Sequence, residues 1–280
     1  MVELFQRGAG GEVECLGMFR AHDLTRALRD LRLARAVHFH PSLGSTMDEA
    51  KRLAEDGAPE GTLVIAEAQT AGRGRNGRAW LTPPGSALAF SLVLRPSLKA
   101  GDAARLTMLA GVAVGEAIEQ TANVAAALKW PNDVLINGQK TAGVLIESAL
   151  RGAELDFAVL GLGLNVSWSP PPEAVDFPAT CVQAEASGPV DRLALLRSVL
   201  VRLEARYDDL NAGSLFADWR ARLSTLGQWI EFRDGPHLIT GLAEDVTPGG
   251  ALLVRLDSGA RQTVFAGEVR AVRAIDAPLN

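Results

Sequence analysis

Lys129-Trp130-Pro131-Asn132-Asp133-Val134-Leu135-Ile136-Asn137-Gly138-Gln139-Lys140-Thr141-Ala142-Gly143 is the stretch on which the architecture turns. An Asn-Gly pair between apolar runs is the strongest short hairpin signal, because both turn residues must take positive φ. Asn137-Gly138 therefore predicts a hairpin joining 134–136 to 141–148, and Pro131 separates the strand 134–136 from a short one at 127–130. Residues 155–160 run on into Gly161-Leu162-Gly163-Leu164-Asn165-Val166 as a further strand pair. Upstream, ALAFSLVLR at 87–95 and TLVIAE at 62–67 read as buried strands, and 37–40 as a short one. Helical spacing predicts helices over 45–56, with Ser45 or Thr46 as N-cap, over 102–120 and over 191–210. A further helix-like pattern lies at 23–36, where Leu24, Ala27, Leu28 and Leu31 recur between arginines. Beyond Leu226 only short strands remain, at 229–232, 238–244, 252–256, 262–265 and 269–272, with the spacing of a small barrel. The expected fold is α+β: an N-terminal extension with a short helix (1–37), a mixed sheet flanked by helices (38–225) and a small all-β unit (226–275).

The 280 residues are 48% hydrophobic and 22% charged, the composition of an ordinary globular chain. Lys+Arg 28 against Asp+Glu 33 gives a net charge of −5, which argues against bulk attraction to nucleic acid or anionic lipid. No apolar run is long enough to span a bilayer, and the start of the chain has no signal-peptide pattern. Cys15 and Cys181 are the only cysteines, which excludes a zinc ribbon or disulfide framework and fits the cytoplasm.

Common nucleotide-binding and hydrolase motifs do not fit. Gly138-Gln139-Lys140-Thr141 lacks the glycine placement of a P-loop, no G-x-S-x-G elbow occurs, and the four histidines have no metal-ligand spacing. Gly72-Arg73-Gly74-Arg75-Asn76-Gly77 has the dinucleotide spacing, but Trp80-Leu81-Thr82-Pro83-Pro84 cannot open the helix that motif requires. What remains is a loop of arginines between glycines, with no Asp or Glu from Ala68 through Gly101. Such a loop offers close backbone approach and forked donors for phosphate or carboxylate; a flexible surface loop or an RNA contact is the alternative. Lys129-Trp130-Pro131-Asn132-Asp133 sets a cation, an aromatic, an amide and a carboxylate at one strand break, where Asp133 could hold a hydrated Mg²⁺; a structural turn around a packed Trp is the alternative. Gly143, Gly161 and Gly163 lie inside strands, a position that often marks close approach of a ligand.

The order of Gln69-Thr70-Ala71-Gly72-Arg73-Gly74-Arg75-Asn76-Gly77-Arg78, Lys129-Trp130-Pro131-Asn132-Asp133, Lys140-Thr141-Ala142-Gly143 and the 161–166 segment resembles that of biotin protein ligases. Ser45-Thr46-Met47-Asp48 resembles their upstream biotin-contacting motif, and Ala266-Gly267-Glu268-Val269 their SH3-like C-terminal domain. The resemblance covers roughly 38–275 and implies a class II aminoacyl-tRNA synthetase/biotin ligase-like catalytic domain followed by an SH3-like barrel. It implies biotin contacts from Ser45, Thr46, Met47, Gln69, Arg73, Gly74, Arg75, Lys140, Gly143, Gly161 and Gly163. Arg73, Arg75, Arg78, Trp80, Lys129, Asn132, Asp133 and Asn165 fall to ATP and the adenylate, with Arg75, Lys140 and Asp133 as the catalytic group and Asp133 toward Mg²⁺. Met47 departs from the family, which often has Asn there. Some members carry a DNA-binding domain of about 60 residues before the catalytic one; the 37 residues here are too few for that fold, so no DNA partner is expected. A homodimer paired through sheet edges is common in the family.

The implied reaction joins biotin to ATP as biotinyl-5′-AMP, then transfers biotin to a lysine of a biotin carboxyl carrier protein. Its first step opposes two anions, a repulsion of about 4 kcal/mol at 4 Å and an effective dielectric near 20, which arginines, Lys140 and Mg²⁺ would offset. It needs no side-chain nucleophile, in keeping with the absent triad. Lipoate or octanoate transfer on the same fold, and a non-catalytic nucleotide-responsive regulator, are the rival readings.

Overall fold

The computed structural model describes residues 18–211 and 213–272. In chain order the elements are α1 (Ala21–Leu28), β1 (Ala36–His40), α2 (Thr46–Glu55), β2 (Thr62–Ala66), β3 (Ala87–Leu94), α3 (Ala104–Ala122), β4 (Ala127–Lys129), β5 (Asp133–Ile136), β6 (Gln139–Arg151) and β7 (Glu154–Asn165). They continue with α4 (Val182–Glu185), α5 (Arg192–Asp208), α6 (Gly213–Arg222), β8 (Trp229–Asp234), β9 (His237–Val246), β10 (Leu252–Leu256), β11 (Arg261–Val264) and β12 (Val269–Ala271).

Seven strands form one sheet in the order β1-β2-β3-β7-β6-β5-β4. Only β1 and β2 pair in parallel; the other neighbours are antiparallel, so the sheet is mixed as expected. The decisive turn has the conformation its residues require, with φ of 49° at Asn137 and 74° at Gly138. It joins β5 to β6, and β6 then forms a long hairpin with β7, from Ala142 opposite Leu164 to Arg151 opposite Glu154.

Period-2 alternation sends successive side chains to opposite faces. Leu63 and Ile65 of β2 and Leu88, Phe90, Leu92 and Leu94 of β3 join the main core, with α3 and α5. Val64 and Val93 point the other way and meet Met47, Ala50 and Ala54 of α2. Both strands are therefore buried on both sides, which is why they read as unbroken apolar runs.

The helix expected over 23–36 is shorter than its pattern. It ends at Leu28, and Arg32–Ala34 form a separate 3₁₀ turn. Leu31 and Leu33 are both buried, and residues two apart cannot share a helix face, so packing forces the extended conformation at Leu31. The irregular segment read at 1–19 falls, apart from Met18 and Phe19, outside the described residues, as does Cys15; Cys181 is a buried free thiol. Helix α6 was not anticipated: its buried residues are Leu215 and Trp219, too short a pattern to register.

The C-terminal strands form a five-stranded sheet in the order β11-β10-β9-β8-β12, every neighbour antiparallel. Its Ile230, Phe232, Ala243, Leu252 and Val254 belong to the same continuous core as α3. Among the described residues no helix is long and apolar enough to cross a membrane.

Candidate active site

Glycine spacing in the 68–84 segment builds a folded arm. Gln69 bridges to Thr82 and Arg73 to Ala79. Trp80 N donates to Gly72 O at 2.8 Å and Gly74 N to Arg78 O at 2.8 Å. The tip is a 3₁₀ turn at Arg75–Gly77, where Asn76 and Gly77 take φ of 56° and 73°. A Cβ on Gly72 would lie 2.4 Å from the Trp80 carbonyl oxygen, so that glycine is what lets the arm close on itself.

No acidic residue is near these arginines in sequence, yet the fold supplies partners from a distance. Arg73 meets Asp48 of α2 and, at 3.2 Å, Glu147 of β6. Arg78 grips both oxygens of Glu268, which precedes β12, and lies 3.4 Å from Asp176. Arg75 donates to Asn132 Oδ1 at 3.1 Å, and burial lowers its pKa below the usual guanidinium range. The arm is thus held by charge from four other parts of the chain.

Beneath the arm is a cavity of about 440 Å³. Every residue assigned from the resemblance lines it: Ser45, Thr46, Met47, Gln69, Arg73, Gly74, Arg75, Arg78, Trp80, Lys129, Asn132, Asp133, Lys140, Gly143, Gly161, Gly163 and Asn165. Ser45 is the N-cap residue of α2, but its hydroxyl caps nothing; Oγ is buried in the cavity wall without a partner. Gln69 Oε1 accepts instead from Thr46 N at 2.8 Å and from Thr46 Oγ1 at 3.1 Å, and Ser91 donates to Thr46 Oγ1 at 2.9 Å. Trp80 Nε1 is a second buried donor without a partner. One part of the cavity therefore presents neutral polar groups with hydrogen-bonding capacity to spare.

Cations gather in the same cavity. Lys140 Nζ lies 2.7 Å from Asp133 Oδ1, an ion contact without hydrogen-bond alignment, and 5.7 Å from the Trp80 ring centroid. Lys129 faces the Phe177 ring at 4.8 Å, and burial lowers its pKa while Asp133 opposes that shift. Asn132 works in two directions: its amide nitrogen donates to Val144 O at 2.8 Å while its oxygen receives Arg75. Asn165 is committed more firmly to structure, its amide nitrogen donating to Thr180 O at 3.0 Å.

Side chains of this chain crowd the strand glycines. A Cβ on Gly163 would sit 2.2 Å from Trp80 Cε2, and one on Gly161 would sit 2.4 Å from Met47 Sδ. Gly143 lies under Trp80 and Lys140, at 3.3 Å and 3.4 Å from a would-be Cβ. The close approach seen is by side chains of this chain, and all three glycines also line the cavity. Sequence reading also missed Phe177, Asp176 and Glu173, which no motif marks, and left Glu268 without a site role. The acid-free stretch from Ala68 through Gly101 was the available signal that its arginines need distant partners, but nothing in linear sequence says which carboxylates meet which arginines.

A model of the biotin/lipoate A/B protein ligase family matches residues 40–165, and one of the biotin protein ligase C terminal domain matches 225–270. The bifunctional ligase/repressor BirA of Bacillus subtilis is 32% identical over 267 residues, 93% of this chain and 82% of that protein. A biotin–[acetyl-CoA-carboxylase] ligase of Paracoccus denitrificans is 39% identical over 233 residues, 80% of this chain and 96% of that one. Among solved structures, biotin protein ligase from Aquifex aeolicus in complex with biotin and ATP superposes with a TM-score of 0.71 at 28% identity, covering 86% of this chain and 100% of that one.

Proposed function

The chain belongs to the biotin/lipoate A/B protein ligase family, and on that premise we propose that it activates biotin with ATP and attaches it to a carrier protein. The observation that carries this reading is one cavity in which unpartnered neutral groups adjoin a cluster of cations. Biotin has the matching halves, a neutral ureido ring and a carboxylate on an apolar chain.

Ser45, Thr46 and Gln69 take the ring, and Phe90, Val144, Leu145 and Leu162 give the aliphatic chain an apolar wall. Lys140, Arg73 and Arg75 stand where the carboxylate meets the α-phosphate. The carboxylate oxygen attacks phosphorus, pyrophosphate leaves, and biotinyl-5′-AMP forms. The cations offset the repulsion of the two anions and the charge that develops on the phosphates. Lys129, Arg78, Asn132, Asn165 and the Trp80 indole bound the nucleotide side. In the second step a carrier lysine attacks the acyl carbon and AMP leaves. The arm, with Arg73 and Gly74 near its tip, keeps water from the mixed anhydride until then.

A Mg²⁺ ion, when bound, supplies further neutralisation of the triphosphate. Asp133 fits it, since its buried Oδ1 has an ion contact but no aligned hydrogen bond. Among the described residues no group of three His, Cys, Asp or Glu could hold an ion, so the nucleotide would bring most of its ligands. A biotin carboxyl carrier domain of acetyl-CoA carboxylase is the proposed partner, supported by the name of the Paracoccus relative. A cytoplasmic setting, no DNA partner, pairing of two copies through a sheet edge and a domain boundary near Leu226 belong to the same proposal. It is supported by the net charge, the free Cys181 and the position of β1 at one edge of the sheet.

The test mixes the protein with labelled ATP and biotin, then with a carrier domain. Acid-labile biotinyl-AMP followed by a biotinylated lysine is expected. An adenylate formed only with lipoate, or none with either acid, overturns the assignment.

A further inference from the structure

Glu67 is fully buried, stands two residues before Gln69, and has no part in the chemistry above. Its carboxylate receives two bonds from Arg192, at 2.9 Å to Oε2 and 2.7 Å to Oε1. Oε2 also accepts from Gly85 N at 3.1 Å, and Oε1 from Phe19 N. Arg192 goes on to donate to Ala87 O at 3.0 Å, and the Phe19 ring covers its guanidinium at 3.9 Å. Arginine in the first turn of α5 opposes the helix dipole, so this residue type needs a reason outside the helix.

The connectivity supplies that reason. The arm spans 68–84, so Glu67 is the residue entering it and Gly85 the residue leaving it. We infer that Glu67 is a positioning residue, whose single carboxylate, locked by Arg192, pins both ends of the arm and docks the segment carrying Phe19 onto the same point. A buried carboxylate with these donors has little freedom, and the two ends of the arm inherit its position. Phe19 closes the network from the N-terminal side. The inference rests on the proposed role of the arm only for its kinetic consequence.

The experiment uses the full chain. Trypsin cuts after arginine, so nicking at Arg73, Arg75 and Arg78 without ligand reads arm opening directly. Glu67→Gln weakens the charge-assisted bonds and is expected to speed nicking about tenfold and raise the biotin KM in proportion, with kcat within about threefold. Glu67→Met/Arg192→Met replaces the ion pair by apolar groups, a change that often preserves stability. With its melting temperature near wild type, this double variant is still expected to be nicked fast, because Gly85 N and Phe19 N have lost their acceptor. A folded double variant nicked at the wild-type rate overturns the inference. Should neither variant fold, hydrogen exchange of the wild type decides. The Gly85 and Phe19 amides are expected to exchange as slowly as those of β2 and β3; exchange at free-loop rates overturns the clamp. Failure of the wild type to make biotinyl-AMP would refute the proposed function and leave the nicking and exchange results standing.

Discussion

The indole Nε1 of Trp130 donates to the carbonyl oxygen of Gly250 across 2.8 Å. Trp130 is 1% exposed and sits between Lys129 and Pro131, at the heart of the most chemically suggestive motif in the chain. Its partner lies in the turn between β9 and β10 of the C-terminal sheet. Trp130 N also donates to Thr225 Oγ1 at 3.0 Å. The aromatic of this motif is therefore a bolt between the two sheets, while its neighbours Lys129, Asn132 and Asp133 line the cavity.

Trp130→Phe keeps most of the buried volume and removes the bond. The unfolding free energy is expected to fall by about 1–3 kcal/mol, since the Gly250 carbonyl is left without its donor. Urea unfolding with an unchanged m-value checks it. An unaltered midpoint would mean the contact contributes nothing.

Gly163→Ala and Gly161→Ala separate two kinds of crowding. The new methyl at Gly163 meets the rigid Trp80 indole, which must leave its place over β7, so adenylate formation is expected to fall by about two decades or more. At Gly161 the obstacle is the end of a flexible Met47, which can move aside at a cost of about 1–2 kcal/mol. Steady-state adenylation of the two variants side by side gives the answer; equal losses would contradict this geometry.

Lys140→Ala removes a cation paired with Asp133 and aimed into the cavity. A lost charge-assisted bond of about 1.5–3 kcal/mol lowers biotin affinity or adenylation by roughly one to two decades. Asp133→Asn leaves Lys140 in place and should spare biotin binding more than nucleotide use. Calorimetric titration with biotin alone distinguishes the two; unchanged biotin affinity in Lys140→Ala would place the carboxylate elsewhere.

Arg75→Gly removes the side chain that ties the arm's tip to Asn132. Retention of the adenylate is expected to suffer more than its formation, since Lys140 and Arg73 remain for the first step. The variant should then label serum albumin with biotin faster than wild type. Equal labelling alongside normal adenylation would show that Arg75 is not the latch.

Acid should release the second tether. Hydrogen bonding to Arg78 holds the Glu268 carboxyl below its ordinary value of 4.5. A carboxyl with a lowered folded-state pKa contributes stability that is full above the unfolded value and lost as pH falls through the folded one. Wild type should therefore be more heat-stable than Glu268→Gln at neutral pH, and the gap should close on acidification below the usual carboxylate range. A gap that persists there would rule out the ion pair as its source.

The local features of the chain fixed the fold. Asn137-Gly138 dictated a turn that only positive φ satisfies, and the unbroken apolar runs of β2 and β3 required cover on both faces. These signals act over a few residues, so they survive in linear sequence. The order of the glycine- and arginine-rich motifs likewise sufficed to gather the cavity's lining. Tertiary structure alone decided the pairings. Arg73 with Glu147, Arg78 with Glu268 and Glu67 with Arg192 join residues 74, 190 and 125 positions apart. An ion pair depends on distance in space, and no periodicity records that. The same holds for Gly163, whose need to be glycine comes from a tryptophan folded over it, and for Leu31, which left its helix because burial outweighed a local preference.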